Sequence, residues 1–230
     1  MTDPGRALLE RIDALQRRIA TVADGSGRSI SDITLVAVSK TVDRATVDAA
    51  YEVGLRTFGE NRVPDARAKF AQPLPDGARL HLIGQLQTNK ASHAVDLFDL
   101  IESVDRPSLI AELEKQGQRR GRVVPILLQV SIAGEEQKAG CAPNEVDALV
   151  SAIAAASHLQ LRGLMTIAPL VDDPEEARPV FAGLRELRDR ISAAHPSIPL
   201  PIISMGMSND FEVAIQEGAT HVRVGRAIFG

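Results

Sequence analysis

LPIISMGMSNDFEVAIQEGATHVRVG, residues 200–225, places an apolar run, a loop of small and polar residues, an amphipathic stretch and a second apolar run in one short span. LPIISMG (200–206) and THVRVG (220–225) read as strands, and 209–217 between them reads as a helix. Ser208, Asn209 and Asp210 are strong helix starters, and Gly218 stands where a left-handed helix C-cap is expected. Two strands joined through a helix form a parallel unit. The period of two turns Val222 and Val224 toward the helices and Arg223 toward the opposite face.

The same unit recurs upstream. Apolar runs at ITLVAVS (33–39), RTFG (56–59), RLHLIG (79–84), LFDLIESV (97–104), VVPILLQVSI (123–132) and LQLRGLMTI (159–167) bring the candidate strands to eight. Helical stretches fall near 43–53, 62–70, 87–95, 107–118, 143–156 and 175–194, with Gly54 at a C-cap position. Pro179 conflicts with the interior of the 175–194 stretch, so the start of that helix is open by about one turn. Continuous apolar runs, rather than strict alternation, suit parallel strands covered on both faces. Ahead of the repeats, Asp3 can cap a helix with Pro4 at its first position. Leu8, Ile12, Leu15, Ile19 and Val22 give that helix one apolar stripe, and DGSGRS (24–29) ends it.

Eight β/α repeats in 230 residues point to an α/β chain folded as a (β/α)8 TIM barrel with an extra N-terminal helix. A doubly wound open sheet is the alternative. There is no linker or shift of composition, so residues 1–230 read as one domain with no second domain.

Composition narrows the function classes. An apolar fraction of 44% and a charged fraction of 24% exclude a mostly disordered chain. The net charge is −4 and the lysines and arginines are scattered, which argues against a nucleic-acid surface. Aromatic residues make up only 3%, too few for base-stacking platforms. No apolar run approaches the roughly 20 residues of a membrane span. The start, MTDPGRALLE, lacks the features of a signal peptide. A cytoplasmic protein without membrane or nucleic-acid partners is expected. Cys141 is the only cysteine, which excludes an intramolecular disulfide and any multi-cysteine metal site.

In a barrel, chemistry sits where strands end and loops begin. Lys40 ends the first strand. On a barrel rim it is either a solvated charge or, if its amine is neutral, a Schiff-base lysine. The loops after the seventh and eighth strands carry Ser204, Gly206, Ser208 and Gly225, small residues whose free N–H groups suit an anion. The other reading of this loop is a plainly capped helix. Arg223 points inward and needs a partner, because burying its charge alone is costly. A structural ion pair with Glu60 is one option. His81 reads as a satisfied core histidine, Cys141 as inert, GEEQKAG (134–140) as a solvated loop and Lys90 as part of a helix face. The five histidines show no metal-type spacing.

LVAVSK (35–40), FGENRV (58–63), HLIGQLQTNK (81–90), EEQKAGC (135–141), LRGLMTIAP (161–169) and the long C-terminal run from Ser204 to Gly230 together resemble the pyridoxal-phosphate homeostasis protein family. The resemblance runs in order from about residue 35 to the C-terminus, and the last motif is the most specific. It implies a barrel like the N-terminal domain of alanine racemase, with pyridoxal 5′-phosphate (PLP) at its mouth. It implies Lys40 as the imine lysine and Asn61, Ser204, Ser208, Arg223 and Gly225 around the cofactor. The serines, with the backbone N–H groups near Gly206 and Gly225, are expected to hold the phosphate. Arg223 is expected at the pyridine nitrogen. Two positions depart from the pattern: Gln85, where many relatives have histidine, and Arg226, where a small residue is common.

Two function classes follow from the resemblance. One is a monomeric PLP carrier or buffer that exchanges cofactor with apo PLP-enzymes. The other is a PLP-dependent amino-acid racemase, whose second domain supplies a further acid/base and closes the site. The repeats fill the chain and leave no such domain, so the carrier is expected. A lysine-dependent aldolase on the same barrel is a more distant third.

Overall fold

Eight strands pair in parallel and in chain order: β1 (Thr34–Val38), β2 (Thr57–Glu60), β3 (Arg79–Leu82), β4 (Leu100–Val104), β5 (Val124–Gln129), β6 (Leu159–Met165), β7 (Ile202–Ser204) and β8 (His221–Val224). β8 returns to β1 with Val36 beside Arg223 and Ala37 beside Val224, which closes the barrel and excludes the open sheet. This computed structural model describes residues 3–134 and 139–230, with the backbone alone at 3 and 4. The Asp3 cap and residues 135–138 of the 134–140 loop therefore lie outside what is described.

The helices are α1 (Asp3–Gly25), α2 (Arg44–Glu52), α3 (Val63–Lys69), α4 (Ala91–Leu97), α5 (Pro107–Arg120), α6 (Val146–Ala154), α7 (Arg178–Ala194), α8 (Phe211–Gln216) and α9 (Arg226–Phe229). Gly54 and Gly218 follow α2 and α8 with φ of +104° and +97°, as their C-cap reading requires.

Several boundaries shift from the sequence reading, and two of the shifts have a clear cause. The apolar stretch 97–104 is divided: α4 runs to Leu97, the Phe98 N–H closes its last turn on Ala94, and β4 begins only at Leu100. Apolar continuity alone does not separate a helix end from a strand start. The helix expected from 175 begins at Arg178, after a 3-10 turn over Pro174–Ala177. Pro179 thus falls in the first turn, where a missing N–H costs nothing.

The stripe of α1 is buried at Leu8, Ile12, Leu15 and Ile19. The helix packs against α8 and α9, the last repeat of the barrel. Polar bonds fix this docking: Arg11 Nε donates to the Ile228 carbonyl at 2.7 Å, and Arg28 donates to the Ile215 carbonyl at 3.0 Å. Arg18 lies 4.8 Å from the centre of the Phe211 ring and pairs with Glu212. The first helix therefore braces the two helices that follow β7 and β8.

Candidate functional site

Parallel closure brings the carboxyl ends of all eight strands to one rim, and there a cavity of about 360 Å³ opens. Val38 and Lys40 line it from the end of β1, Asn61 from the end of β2, and Gly84 and Gln85 from the end of β3. Met207, Ser208, Asn209 and Asp210 follow β7, and Arg223, Gly225 and Arg226 come from β8 and its exit. The outer wall is apolar, built by Ile167, Pro169, Leu170 and Val171 of the loop after β6. Because β8 lies beside β1, residues almost two hundred positions apart in the chain become neighbours.

Lys40 is exposed to this cavity, and among the described residues it is in no ion pair. The peptide unit before it is held firmly. The Ser39 N–H donates to the Gly59 carbonyl at 3.0 Å, and Lys69 of α3 donates to the Ser39 carbonyl at 2.6 Å. Lys69 also donates to Glu60 at 2.8 Å, and the Ser39 hydroxyl donates to the same carboxylate oxygen at 2.7 Å. Glu60 is 1% exposed. Lys69 went unseen in the sequence, since nothing in a helical lysine nine residues past Glu60 announces this contact.

Arg223 points inward as its strand position requires and is 4% exposed. Its partner is not Glu60, which Lys69 already occupies. One Arg223 nitrogen donates to the Ser204 hydroxyl at 2.6 Å and another to the Thr166 carbonyl at 2.7 Å. The Ser204 hydroxyl donates to Glu102 at 2.5 Å, and the second oxygen of Glu102 meets His81 Nδ1 at 2.7 Å. Burial alone would raise the Glu102 carboxyl, but the His81 hydrogen bond and the charges of His81 and Arg223 bring it down to about 2. His221 stacks on His81 with ring centres 6.0 Å apart. Burial pushes its imidazole down to about 4; Glu102 opposes the shift, while His81 and Arg223 add to it.

The loop after β7 divides the anion-site residues into two groups. Ser204 is fully buried, its hydroxyl is engaged by Glu102 and Arg223, and it does not line the cavity. Gly206 is also absent from the lining. Its φ of +89° makes the turn, and a Cβ there would lie 2.5 Å from the Ala214 side chain, so it serves the packing of α8. The structure thus removes Ser204 and Gly206 from direct contact with the cavity. Ser208 remains on it. The Asp210 carboxylate accepts from the Met207 N–H at 2.5 Å, which shapes the loop, while burial raises the Asp210 carboxyl. The backbone N–H groups of Ser208 and Asn209 have no protein partner among the described residues. Opposite them, Gly225 passes close over β1, where a Cβ would lie 3.2 Å from the Val38 carbonyl oxygen. Free amides at a turn and at a helix start attract an anion.

The lesser expectations resolve simply. His81 is buried and bonded, as a core histidine should be. Cys141 is buried, and burial, aided by Glu145 and Asp105, pushes its thiol up to about 12, which leaves it unreactive. Lys90 sits on a 3-10 turn before α4, beside an open groove shared with Arg62 and Gln85. Among the described residues no group of three His, Cys, Asp or Glu side chains could hold a metal ion, and no helix is long and apolar enough to cross a membrane.

Comparison with known proteins agrees with the barrel fold. Residues 11–230 match the family model of the alanine racemase N-terminal domain. The chain is 38% identical over 221 residues to the pyridoxal phosphate homeostasis protein of Aquifex aeolicus, covering 96% of each. It superposes with a TM-score of 0.85 and 37% identity on PipY of Synechococcus elongatus, solved with PLP bound; the match covers 97% of this chain and all of PipY. An alanine racemase from Clostridium difficile shares the fold with a TM-score of 0.76 at 11% identity, and the match covers 56% of that chain.

Proposed function

We propose, for a chain that belongs to the pyridoxal phosphate homeostasis protein family, that the barrel mouth binds pyridoxal 5′-phosphate and that the protein carries and buffers this cofactor. When bound, the cofactor supplies an aldehyde that condenses with a primary amine. The observation that carries the reading is the convergence of three kinds of group on one cavity. Lys40 offers an amine held on a rigid backbone. Arg223 offers a buried guanidinium at the floor. Ser208, with the amides of Ser208 and Asn209 and the loop at Gly225, offers donors for a phosphate. Asn61 stands on the side wall. These residues fit the cofactor, and Ser204 and Gly206 act behind them rather than on the ligand.

The carrier reading is favoured over racemisation by what surrounds Lys40. Racemisation needs a second proton-transfer group on the other face of the substrate. Among the described residues, the other ionisable groups on the cavity are Asp210, Arg223 and Arg226. Asp210 is engaged by the Met207 N–H. Arginine stays protonated and offers no base. Arg223 facing the ring nitrogen would leave that nitrogen unprotonated and weaken the ring as an electron sink, which by itself does not separate a carrier from a racemase; the lack of a second base among the described cavity residues does. We read a cytoplasmic monomer that exchanges PLP with apo-enzymes.

Borohydride reduction of the PLP-loaded protein, followed by peptide mapping, tests the attachment. A single adduct on Lys40, lost in Lys40→Ala, is expected. Full labelling of another lysine would overturn the assignment. Incubation with L-alanine in deuterated water tests the carrier reading: α-deuterium appearing at about 1 s⁻¹ or faster would mark an enzyme.

A further inference from the structure

We propose that Glu102, acting through Ser204, is a positioning residue that aims the Arg223 guanidinium at the ring nitrogen of the bound cofactor. This rests on the reading that Arg223 meets that nitrogen.

Three strands carry the relay, the consecutive pair β7 and β8 and the remote β4: Glu102 on β4, Ser204 on β7 and Arg223 on β8. Glu102 and Ser204 are both fully buried, and neither lines the cavity. Neither therefore touches a ligand held there, whereas Arg223 does line it.

Donor counting fixes the direction of every bond. An ionised carboxylate only accepts, so the Ser204 proton must point at Glu102. That leaves the Ser204 lone pairs for Arg223, whose nitrogen lies 2.6 Å away. The second Arg223 nitrogen is tied to the Thr166 carbonyl. With two corners of the planar fork fixed, its remaining N–H donors face one way only. The other Glu102 oxygen is taken by His81, so the carboxylate cannot swing. Glu102 also lies 4.0 Å from Arg223 itself and supplies the nearest opposite charge. No buried side-chain polar atom among the described residues lacks a partner.

Glu102→Gln keeps the shape but breaks this logic. An amide has one accepting oxygen, so it can keep the Ser204 bond only by donating to a His81 Nδ1 turned acceptor, and in either orientation the negative charge beside Arg223 is gone. If its nitrogen faces Ser204, it donates where the carboxylate accepted and competes with Arg223. The guanidinium then loses its fixed aim and its counter-charge.

The test compares PLP with its carbocyclic analogue, in which CH replaces the ring nitrogen, by titrating both into the full-length protein. The original protein is expected to prefer PLP by about tenfold, as for one hydrogen bond to a charged group. Glu102→Gln and Ser204→Ala are expected to weaken PLP until the two ligands bind alike, while Ser204→Thr, which restores the hydroxyl, recovers the preference. A general loss of packing would weaken both ligands together and leave their ratio unchanged. If either disruptive variant keeps the original ratio, the proposal is overturned. If the original protein shows no preference, the reading of Arg223 fails first and the proposal with it. Should Glu102→Gln not fold, the Ser204 pair decides the matter.

Discussion

Two buried carboxylates stand behind the cavity, and they are anchored differently. Glu60 is matched by Lys69, nine residues along the same β2–α3 unit, and both hold Ser39, Lys69 by donating to its backbone carbonyl and Glu60 by accepting from its hydroxyl. Glu102 is matched across the barrel by Ser204, a hundred residues away, and through it by the side chain of Arg223. The first cluster holds main chain, the peptide unit that carries Lys40. The second holds a side chain that would otherwise be free to turn. The amine gains rigidity from backbone already set by the sheet, whereas the guanidinium needs a relay of its own. Water distinguishes them too: the Lys69 side chain keeps 12% exposure and that of Arg223 only 3%.

The largest effect should come from breaking the drier cluster. Glu102→Leu strands a fully buried guanidinium, and a loss of about 3–5 kcal/mol in urea unfolding is expected. A loss below that of any Lys69 variant would erase the distinction between the two clusters.

Acid separates the clusters next. His221 is held near 4 in the fold against 6.5 when free, so the unfolded chain binds its proton first. Stability is complete above pH 6.5 and falls as pH drops toward 4, by about 2–3 kcal/mol. Glu102, near 2 in the fold against 4.5, adds a second loss in the same direction between pH 4.5 and 2. His221→Met should remove the upper window and leave the lower one. An unchanged acid profile would place the sensitivity elsewhere.

Lys69→Met should cost less, about 1–3 kcal/mol, because Glu60 keeps the Ser39 hydroxyl. Its sharper signature is slower borohydride trapping at Lys40, with the preference between PLP and its carbocyclic analogue untouched.

The smallest effect belongs to the rim. Ser208→Ala should weaken PLP by about tenfold or less and leave pyridoxal, which lacks the phosphate, unaffected. Ser204→Ala should instead weaken both, since it acts through Arg223. Reversed outcomes would return Ser204 to the phosphate site.

Repeated apolar runs, glycine C-caps and a helical stripe made the barrel readable, because each reports a local preference and the strand–helix unit recurs eight times. Strand ends marked Lys40, and alternation turned Arg223 inward. The pairing of Arg223 was not readable. Glu60 looked like a fit partner because both sit on strands beside β1, yet a bond depends on depth within the barrel, and Glu60 meets α3 while Arg223 reaches β4 and β7. Ser204 and Ser208, alike in one loop motif, part company for the same reason.

What the sequence determined by itself was therefore the order of elements and the residues presented at the strand ends, since these follow from periodicity and turn chemistry along the chain. What only the tertiary structure decided was which buried charges meet. Glu102, His81, Ser204 and Arg223 lie on four different strands, and closure of the sheet, set by packing all eight together, brings them within hydrogen-bond reach.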